Sequence, residues 1–222
     1  MADAASTPEL ARERYEEAVA AGARAIGRER FAALEGEFWG HLETRPYMRA
    51  RLGLAQALRS LDRADEAVDH YRALLRLNPG DNQGVRYLLV VALLELGRNA
   101  DAGALLAEYG DDIQAVWPYA RMLWTFRMEG DTDAARAAFD DAEAVNPHVV
   151  PYLLERDALP FTAPPHFALR SPEEAAYAAD SLSRAFEATE GAAAWLLAQV
   201  RRSGARQARS NKRTRARPQP PR

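Results

Sequence analysis

The chain of 222 residues has no cysteine, which excludes disulfides and cysteine-ligated zinc sites. It also lacks a long hydrophobic run, because the longest, Leu88–Leu94, is far shorter than the roughly 20 residues of a membrane-spanning helix. The N-terminal segment shows no basic stretch followed by an apolar one, so no secretory signal is expected. These absences predict a soluble, cytoplasmic protein that does not enter a membrane.

Patterns typical of catalytic and metal sites are missing as well. There is no Gly-rich phosphate loop, no nucleophile elbow and no His-Glu-x-x-His helix. No two histidines lie three or four residues apart, and the adjacent acids Asp140 and Asp141 point in different directions on a helix. We therefore predict a protein that is not an enzyme, with no catalytic residue, no metal site and no cofactor.

Lysine is almost absent, and the single one, Lys212, lies in an arginine-rich end. From Arg201 onward the chain has eight arginines, this lysine and no acid. That leaves 20 basic and 32 acidic residues in positions 1–200, so the formal net charge of −3 combines an acidic body with a basic tail. The body and the tail are therefore interpreted separately.

A helix-ending phrase occurs twice, at Asn78-Pro79 and at Asn146-Pro147, and the two prolines are 68 residues apart. Before each proline, a small, an aromatic and an apolar residue stand at the same distances. The two sets are Ala67, Tyr71 and Leu74, and Ala135, Phe139 and Ala142. The small residue lets two helices approach and the aromatic fills the space beside it. The interval is twice 34 residues, the period of a tetratricopeptide repeat.

Three such repeats are predicted over residues 48–149, covering 48–81, about 82–112, and 116–149. In the first, helices are expected at about 48–61 and 64–77. The second places Ala102, Leu106 and Tyr109 where the first has Ala67, Tyr71 and Leu74, with one residue inserted at its turn. The resemblance to tetratricopeptide repeats implies an all-α fold, a right-handed solenoid of antiparallel helix hairpins that closes with a C-terminal helical cap.

The flanking segments differ in character. Residues 1–47 form a predicted helical lead, with one helix over 8–35 or two shorter ones, because its glycines weaken the helix. Residues 150–200 combine a proline-rich strap, 150–171, with a cap of two helices, at 172 to about 188 and about 192–200. The strap either packs as an extended segment or lies in the groove. Residues 201–222 are predicted to be a disordered basic tail.

A narrower resemblance is carried by three phrases. They are Glu43 to Ala50, Leu77 to Gln83, and Asn146-Pro147-His148-Val149 followed by Tyr152-Leu153-Leu154. Over about 35–200 they resemble bacterial repeat proteins of the suppression-of-tumorigenicity-seven-like kind. This resemblance implies fold and extent but brings no established activity, substrate or partner.

The inner surface of such a solenoid is lined mainly by the first helix of each repeat. Here the lining positions predict a partner-binding groove of Arg49, Gln56, Gln83, Arg86, Tyr87, Trp117, Arg121 and Trp124. Arginine presents a planar fork to carboxylates, and tryptophan offers a large rigid contact area. We expect a scaffold that binds a peptide or protein with acidic and apolar side chains. Alternatively, Trp117 and Trp124, which share a helix face, pack between repeats.

The basic tail suggests an alternative function, a nucleic-acid-associated adaptor. Its candidate phosphate contacts are Arg201, Arg202, Arg206, Arg209, Lys212, Arg213, Arg215 and Arg217. No aromatic residue is interleaved for base stacking, so binding would be weak, non-specific and sensitive to salt. Two other interpretations are a solubilising end and a segment that contacts acidic surfaces, including the acidic body itself.

Overall fold

The structure is a computed structural model. It describes residues 7–110, 112–155 and 167–215, and from residue 205 it describes the backbone only. Within these ranges every regular element is helical, so the predicted all-α fold is confirmed. The chain divides into two compact units, Met1–Ala107 and Glu108–Arg222, which are described in turn.

The first unit is built from helix pairs preceded by a helical lead. Its elements are α1 (Pro8–Ile26), α2 (Arg28–Ala33), a 3₁₀ turn (Phe38–Gly40), α3 (Arg45–Ser60), α4 (Ala64–Leu77), α5 (Val85–Glu95) and α6 (Asn99–Tyr109), which ends in the second unit. Thr7 caps α1 by accepting a hydrogen bond from the Leu10 amide. The lead forms two helices rather than one, because Gly27 adopts a φ of 78° that ends α1.

The pair α3–α4 lies over the first predicted repeat. Helix α4 has the predicted bounds, while α3 begins three residues early because Pro46 is tolerated in a first helical turn. Ala67, Tyr71 and Leu74 are at most 1% exposed, as their spacing predicts. The core of this repeat therefore follows directly from the periodic positions.

Helix α1 packs against α3, but very few of the residues of α1 are buried. Only Ile26 of α1 is buried. The Tyr15 ring lies on Gly53 of α3, and Tyr47 lies against Gly22 of α1, so the two helices run antiparallel. A Cβ atom at position 53 would stand 2.5 Å from the Tyr15 ring. The missing side chain at Gly53 is therefore what allows this contact.

The second unit contains the third repeat and the C-terminal helices. They are α7 (Val116–Glu129), α8 (Asp133–Val145), α9 (Val149–Leu154), α10 (Pro172–Glu187) and α11 (Ala192–Arg215). Thr132 caps α8 by accepting a bond from the Ala135 amide, at 3.2 Å. Ala135, Phe139 and Ala142 have no exposed surface, as their spacing predicts.

Hydrogen bonds at Asn146, the residue before Pro147 at the end of α8, connect this helix pair to α10. The Tyr119 hydroxyl donates to the Asn146 carbonyl at 2.8 Å, and burial raises the pKa of that phenol, so it stays a neutral donor. The Asn146 amide donates to Glu174, which is 1% exposed, at 3.0 Å. Glu174 also accepts from the Ala115 amide at the start of α7, at 3.0 Å. One buried carboxylate thus ties three helices together.

Two flanking segments differ from expectation. Within the strap, α9 forms because Pro151 falls in the first turn of a short helix. The strap residues 156–166 lie outside the described residues, so both interpretations of it stay predictions. Helix α11 runs to Arg215 instead of ending near 200, in contrast to the predicted disorder from residue 201. Arginine, alanine and glutamine are good helix formers, and no proline occurs there before Pro218.

Helix α11 contacts the turn between α7 and α8 through ring stacking and hydrogen bonds. The Trp195 ring stacks on Phe126 at 4.5 Å between centroids, and its indole N–H donates to Asp131 at 2.9 Å. Arg136 donates twice to the same carboxylate, at 2.9 and 2.6 Å. The hydrogen bonds from Arg136 and then Trp195 lower the pKa of Asp131 from 3.8 to about 2.

Replacing Gly53 should release α1. In Gly53→Ala the overlap with Tyr15 is expected to cost about 1–3 kcal/mol, more than the helix-propensity gain of up to about 1 kcal/mol. Hydrogen exchange should therefore speed up in α1 and stay unchanged in α4. Gly40→Ala, where an added Cβ meets nothing within 4 Å, is the matched control. Unchanged exchange in α1 would contradict this account of the contact.

The attachment of α11 should depend on pH. Because the folded pKa of Asp131 is depressed, its stabilisation is full above about pH 3.8 and is lost as the pH falls towards about 2. Asp131→Asn should lower the unfolding temperature near neutral pH, and its difference from wild type should shrink as the pH falls towards about 2 and vanish below it. Asp180→Asn, at an exposed position of α10, is the control. A difference that persists at low pH would argue against the ion pair as the cause.

Candidate functional site

The predicted groove positions on α3 are only partly accessible. Arg49 and Gln56 are exposed. Between them lies Gly53, and the Tyr15 ring of α1 covers it. The lining face of α3 is therefore reduced to two exposed polar side chains that flank a covered glycine.

The groove positions on α5 are organised by Asp81, a residue that the sequence did not single out. The Asp81 side chain is 1% exposed. Its two oxygens accept from the Val85 amide at 2.7 Å and the Arg86 amide at 3.0 Å, which caps the start of α5. Burial raises the pKa of this carboxyl, and the hydrogen bonds to Arg86 and Val85 oppose that rise.

Arg86 is held by groups of its own unit. Its guanidinium donates to Asp81 at 3.0 Å and to the Tyr87 hydroxyl at 2.6 Å, and it lies 4.4 Å from the centroid of the Tyr87 ring. Gln83 is half-buried, and its side-chain oxygen is buried without a hydrogen-bond partner. Arg86 and Tyr87 therefore form a structural cluster with Asp81 at the start of α5.

On α7, one tryptophan packs and the other borders open space. Trp117 is 1% exposed, and its indole N–H donates to the Gly110 carbonyl at 2.8 Å. Its ring meets Tyr109 edge-on at 6.2 Å. Arg121 also donates to the Gly110 carbonyl. The packing alternative therefore describes Trp117, while Trp124 is half-buried.

A cavity of about 610 Å³ opens between α7 and α8. This volume lies within the range of roughly 300–1,000 Å³ that is typical of ligand sites. Its walls are formed by Asp112, Trp117, Pro118, Arg121, Trp124, Thr125, Glu129, Ala134, Ala137, Ala138, Asp141 and Val145. The structure thus brings together three of the eight predicted groove residues, all from α7.

The residues of α8 that line this cavity are not among the predicted groove residues. Ala134, Ala137, Ala138, Asp141 and Val145 share one helix face, at intervals of three and four residues. That spacing is the signal that could have identified the wall. The periodic positions Ala135, Phe139 and Ala142 drew attention instead to the opposite, buried side of α8.

The first basic residues of the tail contact the acidic body. Arg201 is exposed, while Arg202 is half-buried and donates to Asp140 on α8 at 3.0 Å. The side chains of the predicted phosphate contacts at 206–215 lie outside the described residues, although their backbone is part of α11, and Arg217 also lies outside. Phosphate binding by the tail stays a prediction.

The residues that the structure describes contain no group of three or more His, Asp or Glu side chains suited to a metal ion. None of the helices that the structure describes is long and apolar enough to cross a membrane.

Comparison with known proteins agrees with the helix pairs. A family model described as tetratricopeptide repeat matches residues 58–123, from the end of α3 into α7. No curated protein and no solved structure shows significant similarity to the chain. The match and the helix pairs confirm the tetratricopeptide-like class of the fold. The narrower resemblance to suppression-of-tumorigenicity-seven-like proteins is not supported by this match.

Removing the Asp81 carboxylate should destabilise the start of α5. We expect Asp81→Ala to cost about 1–3 kcal/mol, because two helix amides lose their acceptor and Arg86 loses its ion-pair partner. Urea denaturation of the full chain measures this change. Asp69→Ala, at an exposed position of α4, should change the free energy of unfolding by less than about 0.5 kcal/mol. Equal effects of the two substitutions would show that Asp81 has no special role.

Proposed function

We propose that this chain is a non-catalytic protein–protein interaction scaffold that holds a segment of a peptide or protein partner between α7 and α8. Tetratricopeptide repeats generally mediate interactions between proteins, and the match extends into the first part of α7, as far as residue 123. The observation that carries the proposal is the cavity lined by Trp117, Arg121 and Trp124. It is large enough to receive side chains of a partner.

The geometry of the cavity suits this role. Trp117 and Arg121 are fixed by the Gly110 carbonyl, so this wall is rigid before a partner arrives. Trp124 is half-buried and offers a large flat surface, the kind of residue that dominates binding energy at interfaces. A rigid wall with an aromatic anchor loses little conformational entropy on binding.

In the first unit, Arg49 and Gln56 are the groove residues that stay exposed. We include them as secondary contacts. Arg86 is excluded from this role, because its guanidinium supports the cap of α5. Substituting Arg86 would change folding and binding at once, so the test uses other positions.

The scaffold function is tested by affinity capture from native lysate with the full chain. Trp124→Ala should reduce capture of a protein partner by at least about tenfold, as expected for an interface anchor. The control Met128→Ala removes a 53% exposed side chain from the same helix without touching the cavity. Circular dichroism verifies that both variants are folded.

A second pair of variants tests the first unit. Arg49→Ala combined with Gln56→Ala should weaken capture by a smaller factor, and the exposed Arg76→Ala in α4 should leave it unchanged. Capture that is equal for the wild type, Trp124→Ala and Met128→Ala would refute the proposed site.

A further inference from the structure

The α8 wall of the cavity is lined by short and mostly apolar side chains. Ala134, Ala137 and Ala138 carry only a methyl group each, and Val145 adds an apolar side chain at one end. Across from them stands the half-buried ring of Trp124. The Thr125 hydroxyl is turned to its own helix, where it donates to the Arg121 carbonyl at 2.9 Å. The interior therefore suits an aliphatic or aromatic side chain.

The charges at the rim are mainly negative. The cavity is lined by three carboxylates, of Asp112, Glu129 and Asp141, and by one guanidinium, of Arg121. Asp112 accepts from the Gln114 amide at 2.9 Å, and Arg121 is directed at the Gly110 carbonyl. These two charged groups therefore form hydrogen bonds with the turn that precedes α7.

The other two carboxylates remain open to a ligand. Glu129 is exposed and accepts one hydrogen bond, from the Thr132 hydroxyl at 3.1 Å. Asp141 is exposed and makes no hydrogen bond or ion pair with any residue that the structure describes. An acidic segment, which the groove arginines led us to expect, would bring like charge towards both groups.

The neighbouring residue shows that this helix accepts arginine. Asp140, next to Asp141 in α8, binds the Arg202 guanidinium at 3.0 Å. That contact holds a basic, helical segment of this chain against α8. The same chemistry is available at Asp141, on the side of the helix that faces the cavity.

We propose that the cavity between α7 and α8 recognises a basic amphipathic segment of a partner protein. An apolar side chain of this segment sits between Trp124 and the alanines of α8, and flanking lysine or arginine side chains pair with Asp141 and Glu129. This inference rests on the proposed scaffold function and specifies the chemical class of the partner. The apolar anchor supplies most of the affinity, while the exposed ion pairs supply selectivity and faster association.

Synthetic peptides test this specificity directly, with fluorescence anisotropy as the readout. The probe is a labelled amphipathic peptide of about 15 residues, built from leucine and lysine at helical spacing. A second peptide carries glutamate in place of lysine, and a third carries serine in place of leucine. The leucine–lysine peptide should bind the full chain best, and added salt should weaken its binding.

Two pairs of variants locate the binding. Ala138→Trp fills the cavity and should reduce affinity at least about tenfold, whereas Ala144→Trp, at an exposed position of α8 outside the cavity, should not. Asp141→Asn should weaken binding about 2- to 5-fold. Asp133→Asn, whose side chain is 99% exposed on the same helix, is its control. If Ala138→Trp does not fold, the exposed Ala137→Tyr takes its place.

Three results would overturn the inference. They are tighter binding of the leucine–glutamate peptide, equal binding by Ala138→Trp and Ala144→Trp, and equal effects of Asp141→Asn and Asp133→Asn. If Trp124→Ala still abolishes capture of a partner from lysate, such results would remove only the basic class and leave the scaffold function. If Trp124→Ala changes neither assay, the site itself is wrong.

Discussion

The repeats depend on one packing arrangement, in which an alanine and an aromatic ring stand four residues apart on the second helix of a pair. Ala67 with Tyr71, and Ala135 with Phe139, are at most 1% exposed. The alanine allows the first helix to approach, and the ring fills the adjacent space, so changing either size would disrupt the pair. In the second unit the Trp195 and Phe139 rings also form a T-shaped contact, with 6.2 Å between centroids. The terminal helix is therefore built on the repeat core.

Buried polar groups then determine how the pairs are extended. Glu174 joins the start of α7, the end of α8 and the start of α10, and Asp81 fixes the start of α5. Each is a carboxylate that accepts backbone or amide hydrogens, the arrangement that makes burial of a charge tolerable. These hydrogen-bonded contacts determine the geometry of the connections between helices. The repeat pattern in the sequence does not predict that geometry. The α7 wall of the cavity is fixed in a similar way, by hydrogen bonds to one backbone carbonyl, that of Gly110.

The sequence predicted periodic features well and tertiary ones poorly. The spacing of Ala67, Tyr71 and Leu74 located α4 because helical periodicity reports directly on burial. Trp117 and Trp124 share a helix face, and the helical spacing does not reveal that the Trp117 indole donates to the Gly110 carbonyl. The partner of Arg86 was missed because it lies in a loop rather than on a helix face. The sequence does not predict the extended α11, because a segment without apolar residues indicates disorder even where local helix propensity is high.

The contact between Tyr15 and Gly53 has a consequence for local stability within the first unit. Helix α4 buries seven residues, whereas α1 buries one, so α1 has far less apolar contact to lose when it opens. Segments with few buried contacts open at a small fraction of the free energy of global unfolding. Each such opening uncovers Gly53 between Arg49 and Gln56 and lengthens the accessible face of α3. The surface that the first unit offers to a partner is therefore set by a local equilibrium as well as by the folded structure.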